Sequence, residues 1–92
     1  MKNKLPDFYD VRFMFEQDVV VDGQTFFFDG MAYLTGRSNG NWNLDTISGS
    51  IVEDGDYISI NDQPELIAAF IKSLENNREF QIRADYETYY QI

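Results

Sequence analysis

The sequence predicts an α+β protein of order β-β-β-β-α-β: an antiparallel four-stranded β-meander, one α-helix packed on one face, and a fifth, C-terminal strand. Three observations carry this expectation. Apolar and polar residues alternate from Tyr9 onward, the hairpin dipeptides Asp22-Gly23, Asn39-Gly40 and Asp54-Gly55 punctuate the alternation, and only Asn61 to Glu79 shows a helical period. With 92 residues, the chain is expected to form one domain around one core.

Residues 1–7 read as a loose arm, and residues 9–60 as the meander. Each dipeptide suits a type I′ turn, and folding the chain at all three as two-residue loops fixes every cross-strand pair. The first fold sets Val19 opposite Phe26, Gln17 opposite Phe28, Phe15 opposite Gly30, Phe13 opposite Ala32 and Val11 opposite Leu34. The second adds Ala32 opposite Ile47, Gly30 opposite Gly49 and Phe28 opposite Ile51, and the third Ile51 opposite Ile58 and Gly49 opposite Ile60. All these pairs share one mostly apolar face. A slip of one residue would turn any strand over, so agreement among three separate turns supports the meander. A fourth dipeptide, Asp29-Gly30, then becomes strand interior or a bulge. Gly30 and Gly49 lie side by side, and the ring of Phe15 is expected across the backbone they leave bare.

The helix is expected over residues 62–77. Leu66, Ile67, Phe70, Ile71 and Leu74 wind onto one stripe, Asn61 or Asp62 is the N-cap, Pro64 sits in the first turn, and Asn76 and Asn77 end it. Beyond it Phe80, Ile82, Ala84 and Tyr86 alternate with Gln81, Arg83, Asp85 and Glu87, which reads as a fifth strand over residues 79–90. Two placements are open to it, antiparallel beside the first strand or parallel beside the fourth. The longer first strand offers more ladder, giving the order 5-1-2-3-4.

Composition narrows the chemistry. There is no cysteine and no histidine, which removes disulfides, thiolate catalysis, the commonest general base and the commonest transition-metal ligand. No glycine-rich phosphate loop precedes the helix. The oxygen-rich run Glu53-Asp54-Gly55-Asp56 lacks EF-hand spacing. An open sheet face offers no cleft in which paired carboxylates could acquire separate acid and base roles. The chain is therefore read as a non-enzyme with no cofactor and no metal. Lys2 and Lys4 have no apolar run behind them and no segment is long enough to span a membrane, so a cytoplasmic location is expected.

Sixteen acidic against seven basic residues give a net charge of −9, which disfavours direct contact with nucleic acid or anionic lipid and favours a basic partner. No Lys or Arg stands between Arg37 and Lys72, whereas Asp45, Glu53, Asp54, Asp56, Asp62 and Glu65 do. The registers also specify the face opposite the helix, in rows: Arg12, Tyr33 and Thr46; Met14, Met31 and Ser48; Glu16, Asp29, Ser50 and Ser59; Asp18, Phe27, Val52 and Tyr57. Cation–π pairs are expected there between Arg12 and Tyr33 and between Arg37 and Trp42. Glu16 directly opposite Asp29 is a destabilising pair, and Asp18 deepens its potential. Carboxylates among aromatic and methionine side chains suit a partner's Lys and Arg.

The expected partner-binding residues are Glu16, Asp18, Phe27, Asp29, Met31, Tyr33 and Tyr57, with Glu53, Asp54 and Asp56 at the third turn. The expected function is that of a small acidic protein-binding domain, an inhibitor that docks on the nucleic-acid-binding surface of a partner protein or enzyme complex. Phage anti-restriction, anti-CRISPR and DNA-mimic proteins provide the analogy, one of size and charge and not of sequence. The alternatives are an immunity protein or chaperone for one cognate partner, and a homo-oligomer paired through the open sheet face or the Tyr-rich C-terminal strand.

Overall fold

The computed structural model describes residues 8–90, and the arm expected over residues 1–7 lies outside them. The strands β1 (Phe8–Val21), β2 (Gln24–Arg37), β3 (Trp42–Glu53) and β4 (Asp56–Ser59) form one antiparallel sheet in the order β1-β2-β3-β4. The helices α1 (Pro64–Glu75) and α2 (Arg78–Tyr89) follow. Both cover the same face, which is the apolar one.

Two of the three turns match the two-residue form. Asp22 and Gly23 have φ of 51° and 79°, and Asp54 and Gly55 have 51° and 82°, the left-handed values a type I′ turn requires. In β1, Val11, Phe13, Phe15, Gln17 and Val19 are buried while each intervening residue is exposed, the alternation of a strand with one covered face. The pairs Val19↔Phe26, Phe15↔Gly30, Ala32↔Ile47 and Ile51↔Ile58 stand as the sequence predicts. Beyond the end of β4, the Ile60 amide donates to the Gly49 carbonyl at 3.0 Å.

The middle turn differs. The Arg37 amide donates to the Asn41 carbonyl at 2.8 Å and the Gly40 amide to the Arg37 carbonyl at 2.9 Å. The loop thus holds three residues, with Gly40 at φ 92°. This sets Gly36 opposite Trp42, and a register shift between Tyr33 and Leu34 restores the expected pairing farther in. The extra residue, Asp45, is taken up as a β-bulge, so Leu44 and Trp42 turn toward the helices. Trp42 is therefore not opposite Arg37. Its ring meets Phe80 at 6.0 Å and its Nε1 donates to Asp85 at 2.7 Å, while the Arg37 guanidinium lies 5.1 Å from the centre of the Phe8 ring.

A Cβ on Gly30 would strike the Ser48 carbonyl oxygen, and one on Gly49 would strike that of Asp29. The strands approach each other too closely here for any side chain, and Gly49 has φ 151°, which other residues rarely adopt. The ring tip reaching over the pair belongs to Phe28, not Phe15. Phe15 packs beside Phe28 with ring centres 5.2 Å apart.

α1 occupies a shorter span than residues 62–77. Gln63 is at the N-cap, its side chain donating back to the Ser59 carbonyl at 3.3 Å and not capping the helix, and Pro64 begins the helix. Asn61 is engaged elsewhere, its Oδ1 accepting the Gly49 amide at 2.8 Å. Phe70 and Leu74 are fully buried, and Phe70 meets Phe26 and Phe28 at 5.4 and 5.8 Å.

The main correction concerns residues 79–90, which form no strand. Residues 79–89 belong to α2 and Tyr90 caps it, so among the described residues the order 5-1-2-3-4 does not exist, and neither does a C-terminal strand through which copies could pair. Two periods coexist in this stretch. Phe80, Ile82, Ala84 and Tyr86 alternate, but Phe80, Ala84 and Thr88 recur every fourth residue, and those three are buried while Ile82 and Tyr86 are exposed. Asn77 decides between them. Its Oδ1 accepts the Phe80 amide at 2.9 Å, the N-cap bond of a new helix, with Glu79 in the first turn.

The same Oδ1 accepts a second bond, from Nε2 of Gln17 at 3.1 Å. Gln17 is the polar residue in the apolar stripe of β1 and is buried, so this bond accounts for its place there. α2 then lays Phe80 against Phe13 and Phe15, with ring centres 5.8 and 5.2 Å apart. Farther along, Arg83 stacks its guanidinium 4.8 Å from the Phe13 ring centre, donates from Nη2 to the Met14 carbonyl at 2.9 Å, and pairs through Nε with Glu87 at 2.8 Å. Ser73 of α1 donates to the Val20 carbonyl at 2.8 Å. β1 is an edge strand, and these two side chains cap carbonyls that would otherwise invite another strand.

Replacing Asn77 with Ala should remove the cap of α2 and strand the Gln17 amide, destabilising the fold by about 2 kcal/mol in urea unfolding. Asn77→Asp, which keeps an acceptor oxygen, should recover most of that loss.

Candidate functional site

Because both helices lie on one side, the described residues leave the other side of the sheet bare. Its rows are those expected from the turns: Glu16↔Asp29, Asp29↔Ser50 and Ser50↔Ser59 in one, Asp18↔Phe27, Phe27↔Val52 and Val52↔Tyr57 in the next. Met14↔Met31 and Arg12↔Tyr33 continue toward the β2–β3 turn. Met14 is 69% exposed, Tyr57 67% and Phe27 38%. Asp29, Met31 and Tyr33, in the inner strand, are half-buried by their neighbours.

Charge on this face is uneven. Arg12 and Arg37 belong to rows near the β2–β3 turn, where Asp10 and Asp45 also lie, whereas Glu16, Asp18 and Asp29 form a wholly acidic triangle farther along. Glu16 and Asp18 stand about 7 Å apart along β1, two residues of strand rise, and Glu16 faces Asp29 at about 5 Å between Cβ atoms. The one ion pair among the described residues joins Arg83 to Glu87, so none of the three has a described cation within 4 Å. Arg83 borders Glu16 and Asp29 at the edge of β1 without pairing with either.

Tyr33 is tied down differently from the expectation of a stack on Arg12. Its hydroxyl lies 3.2 Å from Ser48 Oγ and 3.8 Å from Met31 Sδ, bonds that run along the sheet surface. Thr35 donates to the bulged Asp45 at 2.6 Å, which gives that carboxylate a local role.

The third-turn acids separate from the rest. Glu53 and Asp56 oppose one another in the register. They follow Ile51 and Ile58 in phase, so they project on the helix side, where both are exposed, while Val52 and Tyr57 project on the open side. Asp54 is a turn residue with left-handed φ, for which Asp is well suited. Of the ten residues expected to bind a partner, Glu16, Asp18, Phe27, Asp29, Met31, Tyr33 and Tyr57 share one continuous face, and Glu53, Asp54 and Asp56 do not join it. Met14, the most exposed apolar residue of the face, belongs with the seven. Its membership was visible in the register, since it pairs with Met31.

Among the described residues no group of three or more carboxylates is placed to hold a metal ion, and no helix is long and apolar enough to cross a membrane. The recesses of this surface are shallow. One lies beside Met14, Glu16, Asp29 and Arg83 at the edge of β1.

Replacing Glu16 with Gln should relieve the repulsion from Asp29 and raise stability by a few tenths to about 1 kcal/mol at low salt. The gain should shrink in 1 M NaCl, where charges are screened beyond about 3 Å. Paired denaturation curves at the two salt concentrations check it. No family model, curated protein or solved structure matches the chain.

Proposed function

We propose that the chain is a non-catalytic binding domain whose open sheet face docks on a basic surface of a partner protein. The observation that carries this reading is the Glu16–Asp29 pair, flanked by Asp18, on a face that also exposes Met14, Phe27 and Tyr57. Like charges set directly across a ladder cost stability. A partner's Lys and Arg would convert that cost into charge-assisted hydrogen bonds, and the adjoining side chains would supply apolar area. The net charge of −9 would speed encounter with a basic surface and slow encounter with nucleic acid.

A basic surface that normally holds DNA or RNA is the partner that best fits such a face. The protein would then act as an inhibitor by occupying that surface, in the manner of anti-restriction, anti-CRISPR or other nucleic-acid-mimicking proteins of phage. The exposed Met14, Phe27 and Tyr57 favour a second reading, an immunity protein or chaperone held to one cognate partner chiefly by apolar contact. The two differ in salt dependence.

Pull-down with the tagged protein, followed by affinity measurement on the captured protein, tests both. For an inhibitor of this kind the affinity should fall about tenfold or more between low and physiological salt, and the Glu16→Lys, Asp18→Lys, Asp29→Lys triple variant should lose binding while remaining folded. A salt-resistant complex that the triple variant retains would overturn the electrostatic reading. Loss on truncating Phe27 and Tyr57 to Ala would then favour the cognate-partner reading.

A further inference from the structure

Around the edge of β1 from the open face, α2 turns a second surface outward. Ile82, Tyr86 and Tyr89 succeed one another at i, i+4 and i+7 and are 56%, 57% and 70% exposed. Tyr90 joins them, its ring centre 4.7 Å from that of Tyr86 and 5.3 Å from that of Tyr89. The core stripe of α2, Phe80, Ala84 and Thr88, is buried. The helix is therefore apolar on two sides, and the described residues cover only one of them.

Between the outer stripe and β1 runs a groove of about 330 Å³, lined by Phe15 and Gln17 of β1 and by Ile82 and Tyr86 of α2, with Glu16 and Glu79 also in its walls. The groove holds one cation, Arg83, which is already committed to Glu87, the Met14 carbonyl and the Phe13 ring. Glu16 and Glu79 have no ion-pair partner among the described residues. An apolar slot beside two unpaired carboxylates is complementary to an apolar side chain next to a Lys or Arg.

We propose that this groove receives a basic segment of a partner protein. One apolar side chain enters between Phe15, Ile82 and Tyr86, and a neighbouring Lys or Arg reaches Glu16 and Glu79. A second copy of the chain fits less well, because pairing two such surfaces brings Glu16 and Glu79 against another chain of charge −9. Glu16 borders both the groove and the open face, so the inference rests on reading that face as a docking surface and adds the composition of the segment that meets it.

The test is NMR titration of the labelled protein with a short synthetic peptide alternating Lys with Leu, beside an oligolysine of equal length. Shifts should concentrate at Glu79, Ile82, Arg83 and Tyr86. Oligolysine should bind about tenfold more weakly, and Ile82→Ala and Tyr86→Ala should each weaken the Lys-Leu peptide by about tenfold. Both positions are exposed and Ala favours helix, so the variants should keep the parent's circular dichroism and melting curve. Equal binding of oligolysine, shifts spread over the whole acidic surface, no binding, or less than a twofold effect of the variants would overturn the inference. So would a dimer in sizing experiments that Tyr86→Ala dissociates, since the occupant would then be a second copy. With a natural partner in hand the two surfaces separate. Binding lost only through Asp18→Lys and Asp29→Lys would discard the groove and keep the sheet face, and binding lost only through Ile82→Ala and Tyr86→Ala would do the reverse.

Discussion

The side-chain oxygen of Asn77 is the point on which the two halves of the structure meet. It accepts from the Phe80 amide, which starts α2, and from Gln17, which fixes that start to the middle of β1. Neither partner could easily be replaced by water, since Gln17 is buried and Phe80 fully so. Everything farther along α2 follows from this anchor. Phe80 reaches Phe13, Phe15 and Trp42, Asp85 takes the Trp42 indole N–H, and Arg83 is carried to the edge of β1. A chain that continued from Asn77 as a strand would lengthen the sheet and leave its apolar face covered by α1 alone.

Placing both helices on one face has an electrostatic consequence for the other. Glu16, Asp18 and Asp29 sit where solvent reaches them, and that is the condition under which three acids can share a small area at modest cost. The same exposure leaves Met14, Phe27 and Tyr57 without cover. The sheet tolerates an uncovered face because its long edge is guarded, with Arg83 on the Met14 carbonyl and Ser73 on the Val20 carbonyl. The guard leaves the face itself open to a partner's side chains and discourages a partner's backbone from extending the sheet past those two residues.

The sheet was readable because its information is local. Asp-Gly turns fix register to the residue, and the strict alternation in β1 admits only one face as core. The third strand carries a further signal: Leu44 and Ile47 are three apart, so both can reach the core only if a residue bulges out between them, and Asp45 does. The second helix was obscured by a real ambiguity, because a residue shared by two periods supports both. Ala84 is the second member of an i+4 series and the third of an i+2 series, and the count of apolar residues favoured the strand. The N-cap at Asn77 and the helix-forming Glu, Gln, Arg and Ala residues around it pointed the other way. The separation of Glu53 and Asp56 from the other acids was implicit in the register. The groove beside Tyr86 was not, because it exists only when that residue lies on a helix.

Residues 78–89 form a helix roofing the same face as α1, so that the described residues leave the opposite face bare, and both proposed surfaces depend on that arrangement. Backbone NMR assignment with through-space contacts measures this directly. Helical carbon shifts are expected through residues 78–89, with contacts from the Phe80 ring to Phe13 and Phe15 and none from α2 to Phe27 or Tyr57. Extended shifts in that segment, with amide-to-amide contacts to β1, would contradict it, and would replace the edge guarded by Arg83 with a fifth strand.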